Sequence, residues 1–307
     1  MTRQLPVPRP PLLTRMVALL AAASLAVTAG CAAPPPGTDG TLTDGWAGFG
    51  EPTIFVPQAG TCHRDEAASG SGRYYRPVDC DELHLVETVH VGTFTGADAQ
   101  RTTAPVGNVP ARETARVECD ARAAEFLGDI WQHGLLDMTV LMPPQAAWSA
   151  GARWFRCDLI EISSVFRGTV LPRTGSLRGT LADGGALRLG CHVVRWGDDH
   201  LEALEPVDCA RPHHGEFVGA FDGGALPSSW PGDEAIQESC LLMIADYADL
   251  PVDEDLPYRV ATFWFRTGNP SVWEGDLRVR CFLYVPDFTT PLVRSAKGGG
   301  PDLFPVW

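Results

Sequence analysis

Apolar and polar positions change period several times along the chain, and the changes come in the same order twice. Between residues 110 and 127, Ala115, Cys119, Ala123 and Phe126 recur at helical spacing, with Pro110 near the first turn and Gly128 beyond the end. A second stripe, Ile236, Cys240, Met243, Ile244 and Tyr247, follows a candidate cap at Asp233. After each predicted helix the period falls to two. Phe155, Cys157 and Leu159 alternate with Arg156 and Asp158, and Leu277, Val279, Cys281, Leu283 and Val285 alternate with Arg278 and Arg280. Both patterns predict half-buried strands. A further strand is expected before each, at Met138–Met142 and Val260–Phe265. Upstream lie short β segments around a pair of cysteines and a third segment after a histidine. The predicted order is β-β-β-α-β-β, repeated, an α+β fold class.

The cysteines follow the same repeat. Cys62, Cys80, Cys119 and Cys157 form one set, and Cys191, Cys209, Cys240 and Cys281 the other. In each set seventeen residues separate the first two, and the last gap is 37 residues in one and 40 in the other. Neighbouring residues repeat as well. Cys62-His63 matches Cys191-His192, and Val78-Asp79-Cys80 matches Val207-Asp208-Cys209. His84 and Glu87 follow the first of these triplets as His213 and Glu216 follow the second. Pro144, Trp148, Gly151 and Arg156-Cys157 have counterparts in Pro270, Trp273, Gly275 and Arg280-Cys281. This ordered set of coincidences indicates a tandem duplication, with domains at 51–165 and 188–286. A glycine-rich linker, 166–187, is expected between them, with a short strand at Thr169–Leu171. A loose tail, 287–307, is expected to follow, its apolar end Leu303–Trp307 docking at an unspecified place.

Eight cysteines beyond Cys31 suggest four disulfides and an oxidising compartment. The third cysteine of each set lies on a helix face and the fourth on a strand face that point into one core. This pairs Cys119 with Cys157 and Cys240 with Cys281, leaving Cys62 for Cys80 and Cys191 for Cys209.

The stretch Val207-Asp208-Cys209-Ala210-Arg211-Pro212-His213-His214-Gly215-Glu216-Phe217-Val218-Gly219 resembles the signature of the septum-formation domain of actinobacterial membrane proteins and lipoproteins. The helix cysteine and the tryptophan–glycine–cysteine ending resemble it too. The first half is similar but more divergent, with Asp81-Glu82-Leu83 in place of Ala210-Arg211-Pro212. The resemblance covers roughly 55–162 and 188–285 as two copies. It implies a role near the division septum in the cell envelope and no catalytic activity.

The N-terminal pattern is of another kind. Arg3, Arg9 and Arg15 precede an apolar run of 14 residues, Met16 to Ala29, which is shorter than the roughly 20 residues a membrane span requires. It matches the h-region of a secretory signal peptide over 1–30. Val27-Thr28-Ala29-Gly30-Cys31 resembles a bacterial lipobox, which implies lipid attachment at Cys31 and a mature N-terminus there. Residues 31–50, rich in proline and glycine, read as a flexible tether. The expected location is the extracytoplasmic face of the cell membrane, with the lipid as the membrane contact.

Charge narrows the partners. The formal net charge is −14, and it becomes −17 without residues 1–30, which hold three arginines and no acid. Such a field repels nucleic acid. The expected partner is an envelope or division protein. No nucleophile elbow, phosphate-binding glycine loop or zinc-protease motif occurs in the sequence. Hence neither a catalytic residue nor a cofactor is expected. Each half does place histidine, glutamate and cysteines together, which are zinc-type ligands. Two points oppose a metal. Oxidised cysteines lose their thiolates, and a spacing of three on a regular strand sends His84 and Glu87 to opposite faces unless the histidine sits in the preceding turn. His84, Glu87, His213 and Glu216 are therefore expected to be structural or partner-facing, with no metal bound. The alternatives are a metal-binding envelope protein and an enzyme acting on peptidoglycan or its precursors. Trp131, Trp148, Trp154, Trp230 and Trp264 are candidates for a sugar-binding platform, though such residues are more often packing.

Overall fold

The computed structural model describes residues 53–65, 75–107, 109–198, 200–222, 232–267, 278–286 and 290–306. Cys31 and the segments expected to be signal peptide and tether lie outside them, as do Trp230, Pro270, Trp273, Gly275 and Leu277.

Two antiparallel five-stranded sheets carry the fold. In the first, β1 (Thr61–His63), β2 (Pro77–Val78), β3 (Val86–Thr93), β4 (Leu136–Leu141) and β5 (Trp154–Glu161) lie in the order β2-β1-β3-β5-β4. In the second, β6 (Cys191–Trp196), β7 (Leu201–Val207), β8 (Gly215–Asp222), β9 (Ala261–Arg266) and β10 (Arg278–Tyr284) lie in the order β7-β6-β8-β10-β9. The two orders are the same. Each sheet carries one long helix between its third and fourth strands. These are α2 (Pro110–Leu127) and α4 (Asp233–Ala248). The first half adds two short helices, α1 (Gly96–Ala99) and α3 (Gln145–Ser149). The β-β-β-α-β-β order expected from the period changes is present in both halves.

Helix boundaries follow local chemistry. Pro110 is the first residue of α2, where its missing N–H is no loss, and Gly128 closes the helix in the left-handed region at φ 91°. At α4 the observed start differs from the expected cap by one residue. Gly232 occupies the N-cap and Asp233 is the first helical residue, its carboxylate with that of Glu234 in the first turn, where the helix dipole favours negative charge. Asp249 closes α4 at φ 57°.

Each helix packs on one face of its sheet. Ala115, Cys119, Ala123 and Phe126 meet Met138, Val140, Phe155, Cys157 and Leu159. Ile236 and Cys240 meet Val279 and Cys281. The disulfides Cys119–Cys157 and Cys240–Cys281 tie helix to strand, and Cys62–Cys80 and Cys191–Cys209 tie each first strand to the turn after the second. Their Cα separations, 5.2–5.4 Å, are ordinary for a bridge. The halves share finer detail as well. Opposite its partner strand each third strand carries a bulge, at Val89 between Thr88 and His90 and at Val218 between Phe217 and Gly219. The extra valine turns toward the helix in both cases.

Neither the segment after β5 nor the one after β10 is loose. Residues 166–187 run back across the first half as a strap. Gly179 N donates to Phe126 O (3.0 Å), Leu181 N donates to Leu127 O (3.0 Å), and Leu177 and Leu181 are buried. Gly298 N donates to Tyr247 O (2.9 Å), Gly300 N donates to Ala248 O (2.8 Å), and Ala296 and Phe304 are buried. The two straps use equivalent helix residues, seven and eight positions past Cys119 and Cys240. The reason is physical: each helix ends with carbonyls that have no partner within the helix, and the strap supplies N–H groups to them. In place of the short strand at Thr169–Leu171 there is one bridge, Ile162 to Val170.

The halves also contact each other. Arg280 donates from Nε to Gln132 O and from Nη2 to Leu136 O, both at 2.8 Å, and its guanidinium lies 5.3 Å from the Trp131 ring centre. Leu135 and Phe166 of the first half pack on Phe217, Phe263 and Phe282 of the second, whose Phe263 and Phe282 rings stack at 5.0 Å. No helix among the described residues is long and apolar enough to cross a membrane.

Candidate functional site

His84 and His213 sit in the turn between the second cysteine and the third strand. Both are buried, and both are held by their own backbone. His84 pairs with Arg173 and His213 with Leu292 through two N–H···O bonds each, 2.9–3.0 Å long. Each Nδ1 lies against a carbonyl two residues back, Glu82 O at 2.8 Å and Arg211 O at 2.7 Å. A carbonyl only accepts, so the proton is on Nδ1 and the lone pair of the neutral ring is on Nε2. Neither Nε2 meets a hydrogen-bond partner among the described residues.

Glu87 and Glu216, also buried, hold the straps. Glu87 accepts from Ser176 Oγ at 2.7 Å and from Leu177 N at 2.6 Å. Glu216 accepts from Tyr247 Oη and Ala296 N, each at 2.6 Å, and from Ser295 Oγ. Burial and the hydrogen bond to Glu216 push the Tyr247 phenol well above its usual range. Sequence reasoning misses Ser176 and Ser295 and reads Tyr247 only as part of a helix stripe. The pattern Ser176-Leu177-Arg178-Gly179 against Ser295-Ala296-Lys297-Gly298 carries the signal. It is a serine, a basic residue two further on and a glycine, in segments whose composition suggests linker and tail.

Histidine and glutamate converge with the disulfide in the second half. A ring nitrogen of His213, a carboxylate oxygen of Glu216 and the Cys191 sulfur lie within 4.8 Å of one another. In the first half the corresponding group is Cys62, Cys80 and Glu87. The histidine sits in the turn before the strand in both halves, but it joins the three-atom group only in the second.

A second histidine pair backs each cluster. His63 and His192 follow the first cysteine of each set and are buried. His63 Nε2 donates to Thr88 Oγ1 at 3.1 Å, and Thr88 donates in turn to Asp158 at 2.8 Å. Asp158 pairs with Arg156 at 2.7 Å, yet burial pushes its carboxyl above the usual range. His192 lies edge-on to Phe282, with ring centres 5.4 Å apart. Phe217 and Phe282 stand where the first half has Thr88 and Asp158, so the same position backs onto a polar chain in one half and an aromatic layer in the other.

Burial lowers both His63 and His192 to about 4, from an ordinary value of 6.5. The sign follows from linkage. The unfolded chain takes up these protons below pH 6.5 and the folded protein only near pH 4. Stability is therefore fully present above 6.5 and falls as pH drops toward 4, by about 1 kcal/mol per pH unit for each histidine. Denaturant unfolding at pH 7 and pH 5 checks this: the His63→Gln, His192→Gln double variant should lose less stability between the two than wild type. Parallel losses would contradict the assignment.

Trp131, Trp148 and Trp154 are buried, with indole N–H groups bonded to Asp120, Arg101 O and Phe55 O at 2.8–2.9 Å. Trp264 is half-buried against the second core. These four form no exposed platform.

The geometry defines a class: a two-sheet, disulfide-stapled α+β protein whose histidine and glutamate clusters brace its straps. The family model described as septum formation matches residues 59–281, and the chain belongs to that family. The match is one span across both halves and does not divide into two copies. No curated protein and no solved structure matches the chain.

Proposed function

We propose that this protein is a lipid-anchored, non-enzymatic binding or scaffolding module at the extracytoplasmic face of the cell membrane, acting in septum formation and cell division. The observation that carries the reading is the family match over 59–281. Three features support the finer statement. The apolar run ending in Val27-Thr28-Ala29-Gly30-Cys31 suits export and lipid attachment at Cys31. Four disulfides suit an oxidising compartment. The glutamates and both Nδ1 atoms of the His-Glu motifs are engaged in bracing the fold, which suits a rigid surface for a protein partner of the envelope.

Two measurements test this together. The Cys31→Ala variant should leave the membrane fraction or accumulate as an uncleaved precursor, and normal processing with full membrane retention would refute the anchor. Crosslinking at the intact cell surface should capture division or wall-assembly proteins with wild type. Capture confined to proteins of unrelated function would refute the septal role.

A further inference from the structure

We propose that the Cys191–Cys209 disulfide masks a zinc site, which opens when a dithiol reduces the bridge and takes Cys191, Cys209, His213 and Glu216 as ligands. Three donors already lie together, and a fourth is bonded to one of them. The Cys191 sulfur, a His213 ring nitrogen and a Glu216 carboxylate oxygen lie within 4.8 Å of one another, and Cys209 is bonded to Cys191. Tetrahedral zinc holds sulfurs at about 2.3 Å and nitrogens at about 2.0 Å, which puts two sulfur ligands roughly 3.8 Å apart. The released thiolates thus need to part only to that distance.

His213 is prepared as a ligand. Its Nδ1–H donates to Arg211 O, which leaves the Nε2 lone pair free, the arrangement that second-shell carbonyls impose on metal-binding histidines. That Nε2 is fully buried and meets no hydrogen-bond partner among the described residues. A buried acceptor without a donor is costly, and a cation would satisfy it. Glu216 also retains capacity. Its two oxygens accept three hydrogen bonds from Tyr247, Ser295 and Ala296, and an ionised carboxylate offers about four acceptor positions. It can ligate zinc without releasing the strap. In the first half the corresponding three-atom group lacks its histidine, so the assignment is to the second half.

The redox step balances by thiol–disulfide exchange. A thiolate of the reductant attacks Cys209, the half-buried sulfur of the pair, and the S–S bond breaks with Cys191 leaving as thiolate. The second thiol of the reductant then displaces Cys209 from the mixed disulfide. The dithiol is oxidised to a disulfide, and two electrons and two protons pass to the cysteines. Zinc binding releases the thiol protons to solvent.

The test uses the full protein, oxidised and after mild reduction, titrated with zinc against a chromophoric chelator. Reduced wild type should bind zinc and oxidised wild type should not. His213→Ala should weaken the affinity of the reduced protein at least tenfold. The Cys191→Ser, Cys209→Ser variant should bind one equivalent fewer. The proposal is overturned if reduced wild type binds no better than oxidised, or if His213→Ala changes nothing. Circular dichroism keeps the test decisive: if reduction unfolds the protein, zinc must restore the wild-type spectrum but not that of His213→Ala, and failure to do so also overturns the proposal.

Discussion

Replacing Glu216 with alanine will destabilise the protein by about 3–5 kcal/mol, because several buried or half-buried donors lose their shared acceptor at about 1–3 kcal/mol each. Tyr247 Oη, Ser295 Oγ and Ala296 N all donate to this carboxylate. With it gone, Ala296 N is left buried without an acceptor, Tyr247 Oη and Ser295 Oγ keep only their own contact at 3.4 Å, and hydrogen bonds to a charged group contribute about 1.5–3 kcal/mol each. The strap then loses its central anchor while keeping the backbone bonds of Gly298 and Gly300 to the end of α4. Local release should therefore precede global unfolding. Hydrogen exchange at Ala296, Gly298 and Gly300 should accelerate by more than the change in global stability explains. Glu216→Gln retains one acceptor oxygen and should lose about half as much, consistent with that range. A loss under about 1 kcal/mol for Glu216→Ala, the size of one ordinary hydrogen bond, would show that the strap is held by its apolar residues alone. Glu87→Ala should behave alike but more mildly, since it accepts from Ser176 Oγ and Leu177 N only.

Removing the Cys240–Cys281 bridge by double substitution to alanine should lower stability by about 4 kcal/mol. The bridge closes a loop with a sequence separation of 41, and both cysteines are fully buried between α4 and β10. Most of the effect lies in the unfolded chain, which regains the freedom the loop denied it. The same change at Cys191–Cys209, with a separation of 18, should cost about 3 kcal/mol. Denaturant midpoints of the two double variants, measured under oxidising conditions, give the comparison. A smaller loss for the longer loop would mean that native packing, not chain entropy, dominates.

Much of this architecture is written in local patterns of the sequence. The helix stripe at Ala115, Cys119, Ala123 and Phe126 and the alternation around Cys157 are of this kind, and such patterns are decided by which face must leave water. A cysteine on a helix face and one on a strand face that share a core have few other partners, which is why the pairing of Cys119 with Cys157 is legible. The expected cap at Asp233 is off by one position because an acidic residue is as favourable in the first turn as at the cap.

The straps are not legible in this way. Residues 166–187 and 287–307 are glycine-rich and lack periodicity, so nothing local distinguishes a bound strap from a free linker. Their partners are the end of a helix some 50 residues upstream and a glutamate about 80–90 residues upstream. The same limit applies to the clusters. His213, Glu216, Cys191 and Cys209 are each conspicuous, but a spacing of three gives opposite faces on a strand and a shared site in a turn, and local propensity does not choose between them. The pairing of His213 with Leu292 makes that choice. Sequence alone determined the elements, their repeat and the disulfide pairing, because these depend on periodicity and on which faces share a core. Only the tertiary structure decided what the polar residues of the repeat are for, because a buried hydrogen bond is set by the partner that the folded chain brings to it from far along the sequence.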